Sequence, residues 1–271
     1  MLYFLLKNSV RFPLLGVILN TAYYTCIGAG LAVAATLICR RLQALGYRRP
    51  KVIIFMALCV ALAIPAAFIS SRAANMFYYP PADWTIRLFV SAFASARNET
   101  FHAALLLPVL AISILIFAMG FSFGRVWDVI FLYVPLGHAF GRVGCFLAGC
   151  CWGNPVSICI GNVCYAFANP VPLYAIACNL MIFFWLRRRY NRIHDPARPG
   201  GPAGTIATHY LVLYGSVRFF MEYIRKEPIV GLGLTQAQWF MTGYVLAGSL
   251  FYIVIRVRYR ARLLHNATSN A

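Results

Sequence analysis

Acidic residues are scarce in this chain: six Asp and Glu among 271 residues, against 24 Lys and Arg. Charge of either sign is scarce too, at 11% of residues, about half of what a soluble domain of this length carries. That shortage excludes an ordinary water-soluble fold. No long hydrophilic stretch interrupts the apolar segments, so residues 1–271 read as a single transmembrane domain. No internal repeat and no low-complexity tract are present. The opening residues, MLYFLLKNSVRFPLL, have no charged segment ahead of an apolar run and no small-residue cleavage site behind it. A cleaved signal peptide is therefore not expected.

What remains is an apolar chain, 62% hydrophobic with a mean hydropathy of +0.73. An all-α, polytopic membrane protein is the expected class. A span takes about 20 mostly apolar residues. Seven are expected, at roughly 15–39, 52–71, 101–121, 126–147, 171–187, 205–223 and 234–256. The net charge of +18 would suggest nucleic acid in a soluble protein. Here the basic residues lie between apolar spans, where they orient the chain and meet anionic headgroups, so no nucleic-acid partner is expected.

Three basic clusters give the orientation: Arg40, Arg41, Arg48, Arg49 and Lys51 after the first span; Arg187, Arg188, Arg189, Arg192 and Arg198 after the fifth; and Arg256, Arg258, Arg260 and Arg262 after the seventh. With seven spans all three fall on one face, which the positive-inside rule makes cytoplasmic. The N-terminus is then outside and the C-terminus inside. The outer face receives loops 72–100 and 148–170, the first rich in aromatic residues that favour headgroup level. Arg198–Gly204 reads as a cytoplasmic turn from its prolines and glycines.

Ionisable groups at membrane depth are costly and mark candidate function. Residues 137–154, GHAFGRVGCFLAGCCWGN, hold Arg142 beside several glycines, which permit close backbone approach. Arg218 and Glu222 lie four apart in the sixth span, on one helical face, and can pair. His102 opens the third span. Read as a site, two arginines grip a phosphate, Glu222 holds one of them, and His102 moves a proton. Read as structure, Arg218 and Glu222 form a buried helix pair and Arg142 snorkels to the interface. His138 and His209 are expected to pack within helices, bonded to backbone carbonyls. His194 and His265 are expected to be solvated. Asp128 is expected to serve the N-terminus of its own helix.

Of nine cysteines, Cys26, Cys39, Cys59 and Cys178 fall in spans as small apolar residues. Cys145, Cys150, Cys151, Cys159 and Cys164 gather outward, where disulfides form. Cys159–Cys164 can close a hairpin with Gly-Asn at its turn, or Cys150 or Cys151 can reach across to it. A thiolate metal site is the alternative, although the spacing is not that of a known zinc module.

Several of these segments resemble the prolipoprotein diacylglyceryl transferase family. Gly141-Arg142-Val143-Gly144-Cys145-Phe146-Leu147-Ala148-Gly149-Cys150-Cys151-Trp152-Gly153 is similar to its signature G-R-x-G-N-F-x-N-G-E-x-x-G. Phe101-His102 resembles the start of its F-H-G-G motif, with Ala103 and Ala104 at the glycine positions. Tyr214 to Arg225 resembles Y-G-x-x-R-x-x-x-E-F-F-R, and Gly233 to Gln238 resembles the segment before its last helix. Tyr23 or Tyr24 stands for a family tyrosine. The signature's two Asn and its Glu are replaced here by Cys145, Ala148 and Cys150.

The resemblance implies transfer of a diacylglyceryl group from phosphatidylglycerol to the lipobox cysteine of a preprolipoprotein, in the inner membrane of a bacterium, among membrane lipid. It implies catalytic roles for His102, Arg142, Arg218 and Glu222. It implies substrate contacts from Arg142, Arg218, Tyr23, Tyr24, Gly141, Gly144, Gly149 and Gly153. It implies no metal and no organic cofactor. The alternatives on the residues are a membrane thiol-redox or metal-handling protein using the outer cysteines, and a non-catalytic lipid-binding protein.

Overall fold

The computed structural model describes residues 13–78, 103–160, 163–194, 201–225 and 227–269. Helices dominate. They are α1 (Pro13–Ala44), α2 (Arg49–Tyr78), α3 (Leu106–Ala118), α4 (Phe123–Leu147), α5 (Val171–Ile193), α6 (Thr205–Met221) and α7 (Gln236–Ser269). Two small antiparallel hairpins accompany them: β1 (Pro155–Ile160) with β2 (Val163–Ala168), and β3 (Ile229–Gly231) with β4 (Leu234–Thr235). Five helices, α1, α2, α4, α5 and α7, are long and apolar enough to cross a membrane. The 13 residues of α3 and 17 of α6 rise about 20 and 26 Å at 1.5 Å per residue, short of a bilayer core of about 30 Å. The chain is a multi-pass helical membrane protein. Only 17% of the apolar window of α1, and 11% of that of α7, is buried within the protein. Leu246, Leu250 and Ile253 lie outward on α7, as side chains facing acyl tails do.

The chain divides into two compact units, residues 41–126 and residues 1–40 with 127–271. In the first, α2 packs on α3 around Val52, Phe55 and Ile116, each with no exposure. Phe121 closes this core, its ring 4.7 Å from Phe55 and 4.6 Å from Tyr47. The hydroxyl of Tyr47 accepts the Ser122 N–H at 3.0 Å.

The second unit carries the site. α1 crosses α4 on small residues: a Cβ at Gly30 would stand 2.5 Å from Cβ of Phe140, and one at Gly144 would stand 3.0 Å from the carbonyl of Tyr23. Such contacts replace the hydrophobic drive that lipid removes. α6 packs on α7 in the same way, with Gly215 against the Met241 carbonyl and Gly248 against that of Thr208.

Asp128 corrects an expectation. It lies inside α4, and its carboxylate accepts N–H groups from Gly204 at 2.8 Å and Ala207 at 3.0 Å. It therefore caps α6, not its own helix. Gly204 at the N-cap, with φ +94°, has no side chain to do so.

The strand register sets Cys159 opposite Cys164 and Ile160 opposite Val163, so a hairpin forms across these cysteines. Cys150 and Cys151 do not reach it as disulfide partners; both are free thiols.

Candidate functional site

α4 ends at Leu147, where Gly149 turns the chain at φ +65°. Arg142 sits five residues before that end, on the last turns of the helix. The segment that follows is tied down by backbone bonds. Gly153 N–H donates to Asn169 O at 2.9 Å and Asn154 N–H to Ile224 O at 2.9 Å. The Asn154 side chain donates to Arg225 O at 3.3 Å. Gly153 is required here, since a Cβ would lie 2.2 Å from the Ile224 carbonyl. These bonds clamp the end of α4 against the chain leaving α6.

That chain carries the charges. α6 ends at Met221, and Glu222 opens a single 3-10 turn, Glu222–Ile224. Glu222 is 3% exposed and Arg218 7%. Burial of an unpaired carboxylate is prohibitive, and Glu222 is not unpaired. Its Oε2 takes Nη1 of Arg218 and has Nε of Arg225 at 3.7 Å. Its Oε1 accepts from the Thr235 hydroxyl at 3.2 Å. Arg225 reaches on to Glu227, Nη2 to Oε1, at 2.6 Å.

Thr235 is held by a capping box at the start of α7. Its N–H donates to Oε1 of Gln238 at 2.9 Å, and the Gln238 N–H returns to the Thr235 hydroxyl at 3.3 Å. The pattern T-x-x-Q was legible in the sequence. Its grip on Glu222 was not.

Arg142, Arg218 and Arg225 line one pocket, with Tyr214 and Asn179 among the other walls. Three guanidinium groups face two carboxylates, Glu222 and Glu227. Among the described residues Arg142 meets no carboxylate, and Nε of Arg218 is buried without a hydrogen-bond partner. The pocket thus has surplus positive charge and an unused donor, the chemistry of an anion site. In the sequence Arg225 is the last residue of the motif that starts at Tyr214, with no role assigned to it. Its place three residues after Glu222 was the available signal.

The other expected residues are dispersed. Tyr23 lies against Gly144, while Tyr24 is 64% exposed. Gly141 has open space around it; Gly144 and Gly153 are occupied by backbone contacts. His102 lies outside the described residues. His138 is 3.4 Å from the Tyr210 hydroxyl and packs on Tyr214. His209 bonds the Thr205 carbonyl at 2.6 Å. His194 is not simply solvated: it stacks on Tyr190, centroids 4.1 Å apart, and bonds its carbonyl. His265 is exposed.

Three of the thiols converge. Sγ atoms of Cys145, Cys150 and Cys151 all lie within 4.8 Å of one another. Nη1 of Arg142 is 4.0 Å from Sγ of Cys145. In the turn after α4, Cys151 accepts from the thiols of Cys145 and Cys150. With Arg142 and Arg225 nearby, this holds it well below the usual thiol range, against the effect of burial. Cys150, as donor to Cys145 and Cys151, is pushed up.

A multi-pass helical membrane protein with a buried cationic pocket at one helix end is the class so defined. A sequence model described as prolipoprotein diacylglyceryl transferase matches residues 11–254, and the chain belongs to that family. It is similar to phosphatidylglycerol–prolipoprotein diacylglyceryl transferases of several bacteria. With that of Nitrosomonas europaea it is 30% identical over 199 residues, 69% of each chain. With that of Bordetella bronchiseptica it is 26% identical over 194 residues, 68% of this chain and 72% of the relative. With the second such enzyme of Clostridium perfringens it is 25% identical over 235 residues, 84% of this chain and 88% of the relative. These likenesses lend no support to a thiol-redox, metal-handling or purely lipid-binding protein.

Proposed function

We propose that this chain transfers the diacylglyceryl group of phosphatidylglycerol to the lipobox cysteine thiol of a preprolipoprotein. The observation that carries the reading is the pocket shared by Arg142, Arg218 and Arg225, in a chain of this family. The leaving group of the reaction is glycerol phosphate, an anion. Arg142 and Arg218 bind the phosphodiester and stabilise the charge that develops on its departing oxygen. Glu222 orients Arg218, and Thr235 holds Glu222. The attacking group is a thiolate, which a positioned base or a strong positive field supplies. His102 is the base in this reading. Tyr23, Tyr24, Gly141 and Gly149 contact the two lipid-anchored substrates, while Gly144 and Gly153 serve them by letting backbone close around the site.

The reading includes a single membrane domain of seven spans, N-terminus outside and C-terminus cytoplasmic, in the bacterial inner membrane. With seven spans the three basic clusters fall on one face, as the positive-inside rule asks, and that agreement supports it. The short helices α3 and α6 serve as the third and sixth spans.

The test is direct. The full chain is reconstituted with phosphatidylglycerol vesicles and a peptide carrying a lipobox cysteine. Mass spectrometry is expected to find a thioether-linked diacylglyceryl group on that cysteine. An unmodified peptide, with folded protein and lipid present, overturns the reading.

A further inference from the structure

Binding a phosphate accounts for the arginines but not for the three thiols beside them. Cys145 is buried, Cys151 half-buried and Cys150 exposed, and all three are free. The chain is built to bring them together. The Cys150 N–H returns to the Cys145 carbonyl at 3.0 Å, and Gly149 N–H to Phe146 O at 3.1 Å. Cys151 itself takes a left-handed backbone, φ +63°, a conformation that disfavours non-glycine residues. A dithiol switch would use two of these sulfurs and leave the third without a role.

Three sulfurs around a tetrahedral cation, at metal–sulfur distances of about 2.3 Å, stand about 3.8 Å apart. The three here lie within 4.8 Å of one another, so closure asks for shifts of about an ångström at most. Three thiolates with a divalent cation leave one negative charge. Arg142, 4.0 Å from Cys145, and Arg225, which faces Cys151, compensate it. The exposure of Cys150 leaves an entry path.

We infer that Cys145, Cys150 and Cys151 are a three-thiolate site for a zinc-class divalent cation, whose fourth position, beside the arginine pocket, takes the acceptor's thiol. The identity of that fourth ligand rests on the transferase reading; the three protein ligands do not. A catalytic zinc site has this form, three protein ligands and one open position. The incoming thiol binds as thiolate, its proton passing to the base of the transferase reading. Its sulfur then attacks the terminal carbon of the glyceryl group. The S–C bond forms, the C–O bond to phosphate breaks, and the electron pair leaves on the phosphate oxygen toward the arginines. Nothing is oxidised or reduced.

The full chain in detergent, reduced and stripped with chelator, is titrated with Co2+. A thiolate-to-cobalt charge-transfer absorption is expected, saturating at one ion per chain and displaced by Zn2+. Cys150→Ser and Cys151→Ser each weaken binding by at least roughly tenfold. Cys150 is exposed, so its variant keeps the test valid even if Cys145→Ser does not fold. A cysteine peptide, but not its serine counterpart, shifts the cobalt ligand-field bands. Absence of the absorption, or its survival in the Cys150→Ser, Cys151→Ser double variant, overturns the site. Undiminished transfer by the chelated protein overturns the role of the fourth ligand while leaving the transferase reading intact. Cobalt bound through the thiols with no transfer overturns the transferase reading, and with it the role of the fourth ligand, while leaving the three-thiolate site intact.

Discussion

Thr235 and Glu222, 13 residues apart, are joined by a hydrogen bond from the threonine hydroxyl to Oε1 at 3.2 Å. The same hydroxyl caps α7. Helix capping and arginine positioning therefore share one oxygen atom. Thr235→Ala is expected to cost about 1 kcal/mol of stability and to lower transfer. Thr235→Ser is expected to restore both. Melting temperature and transfer rate measured on the two variants decide it; a serine variant as slow as alanine would show that the hydroxyl is not the cause.

Arg142 and Arg218 differ in their partners, since Glu222 holds only the second. Arg142→Ala and Arg218→Ala are each expected to lower transfer by roughly 10²–10³-fold, the loss typical of one donor to a developing oxyanion. Arg218→Ala also leaves Glu222 buried with a weaker partner, so it alone should lower the melting temperature markedly. Equal stability losses in both variants would contradict this division.

Asp128 offers the cleanest structural control. Removing it as Asp128→Ala leaves the Gly204 and Ala207 N–H groups without their acceptor. A loss of about 2 kcal/mol is expected. Asp128→Asn keeps an acceptor and should lose less. Thermal unfolding of the two variants gives the order.

Glycines of the signature separate by contact. Gly153→Ala drives a Cβ to 2.2 Å from the Ile224 carbonyl and should destabilise by at least about 1–3 kcal/mol. Gly141→Ala meets nothing within 4 Å and gains helix propensity. A Gly141→Ala variant that is stable but slow would mark substrate contact at that position.

Cys151 should react out of turn. Its folded-state pKa lies below the ordinary thiol value of about 8.5. In metal-free, reduced protein at mildly acidic pH, iodoacetamide should therefore modify Cys151 ahead of Cys150. The linked stability is present above the unfolded pKa and disappears as pH falls through the lowered folded value. Mass mapping of the alkylated cysteines tests the order, and preferential labelling of Cys150 would refute it.

Much of the local structure was legible because its causes are local. Apolar composition gave a helical membrane protein, and the i,i+4 spacing of Arg218 and Glu222 anticipated their ion pair. Cys159 and Cys164 flanking Gly-Asn anticipated a hairpin. What was misread or missed involves residues far apart in the chain. Asp128 stands near the start of its own helix but caps one that begins at Thr205. Arg225 carried no role until Glu222 and the pocket stood beside it. Cys150 and Cys151 were candidates for the hairpin but fold back onto Cys145.

Composition, charge placement and motif order by themselves determined that this chain lives in lipid as helices and belongs to a lipid-transferring family. Each of those properties is additive along the chain, or repeats with a helix turn. Tertiary structure alone decided which cations share a pocket, which hydroxyl holds the carboxylate among them, and which thiols meet. Those outcomes depend on a clamp between Asn154 and Ile224, on small residues letting helices approach, and on a left-handed turn at Gly149 and Cys151.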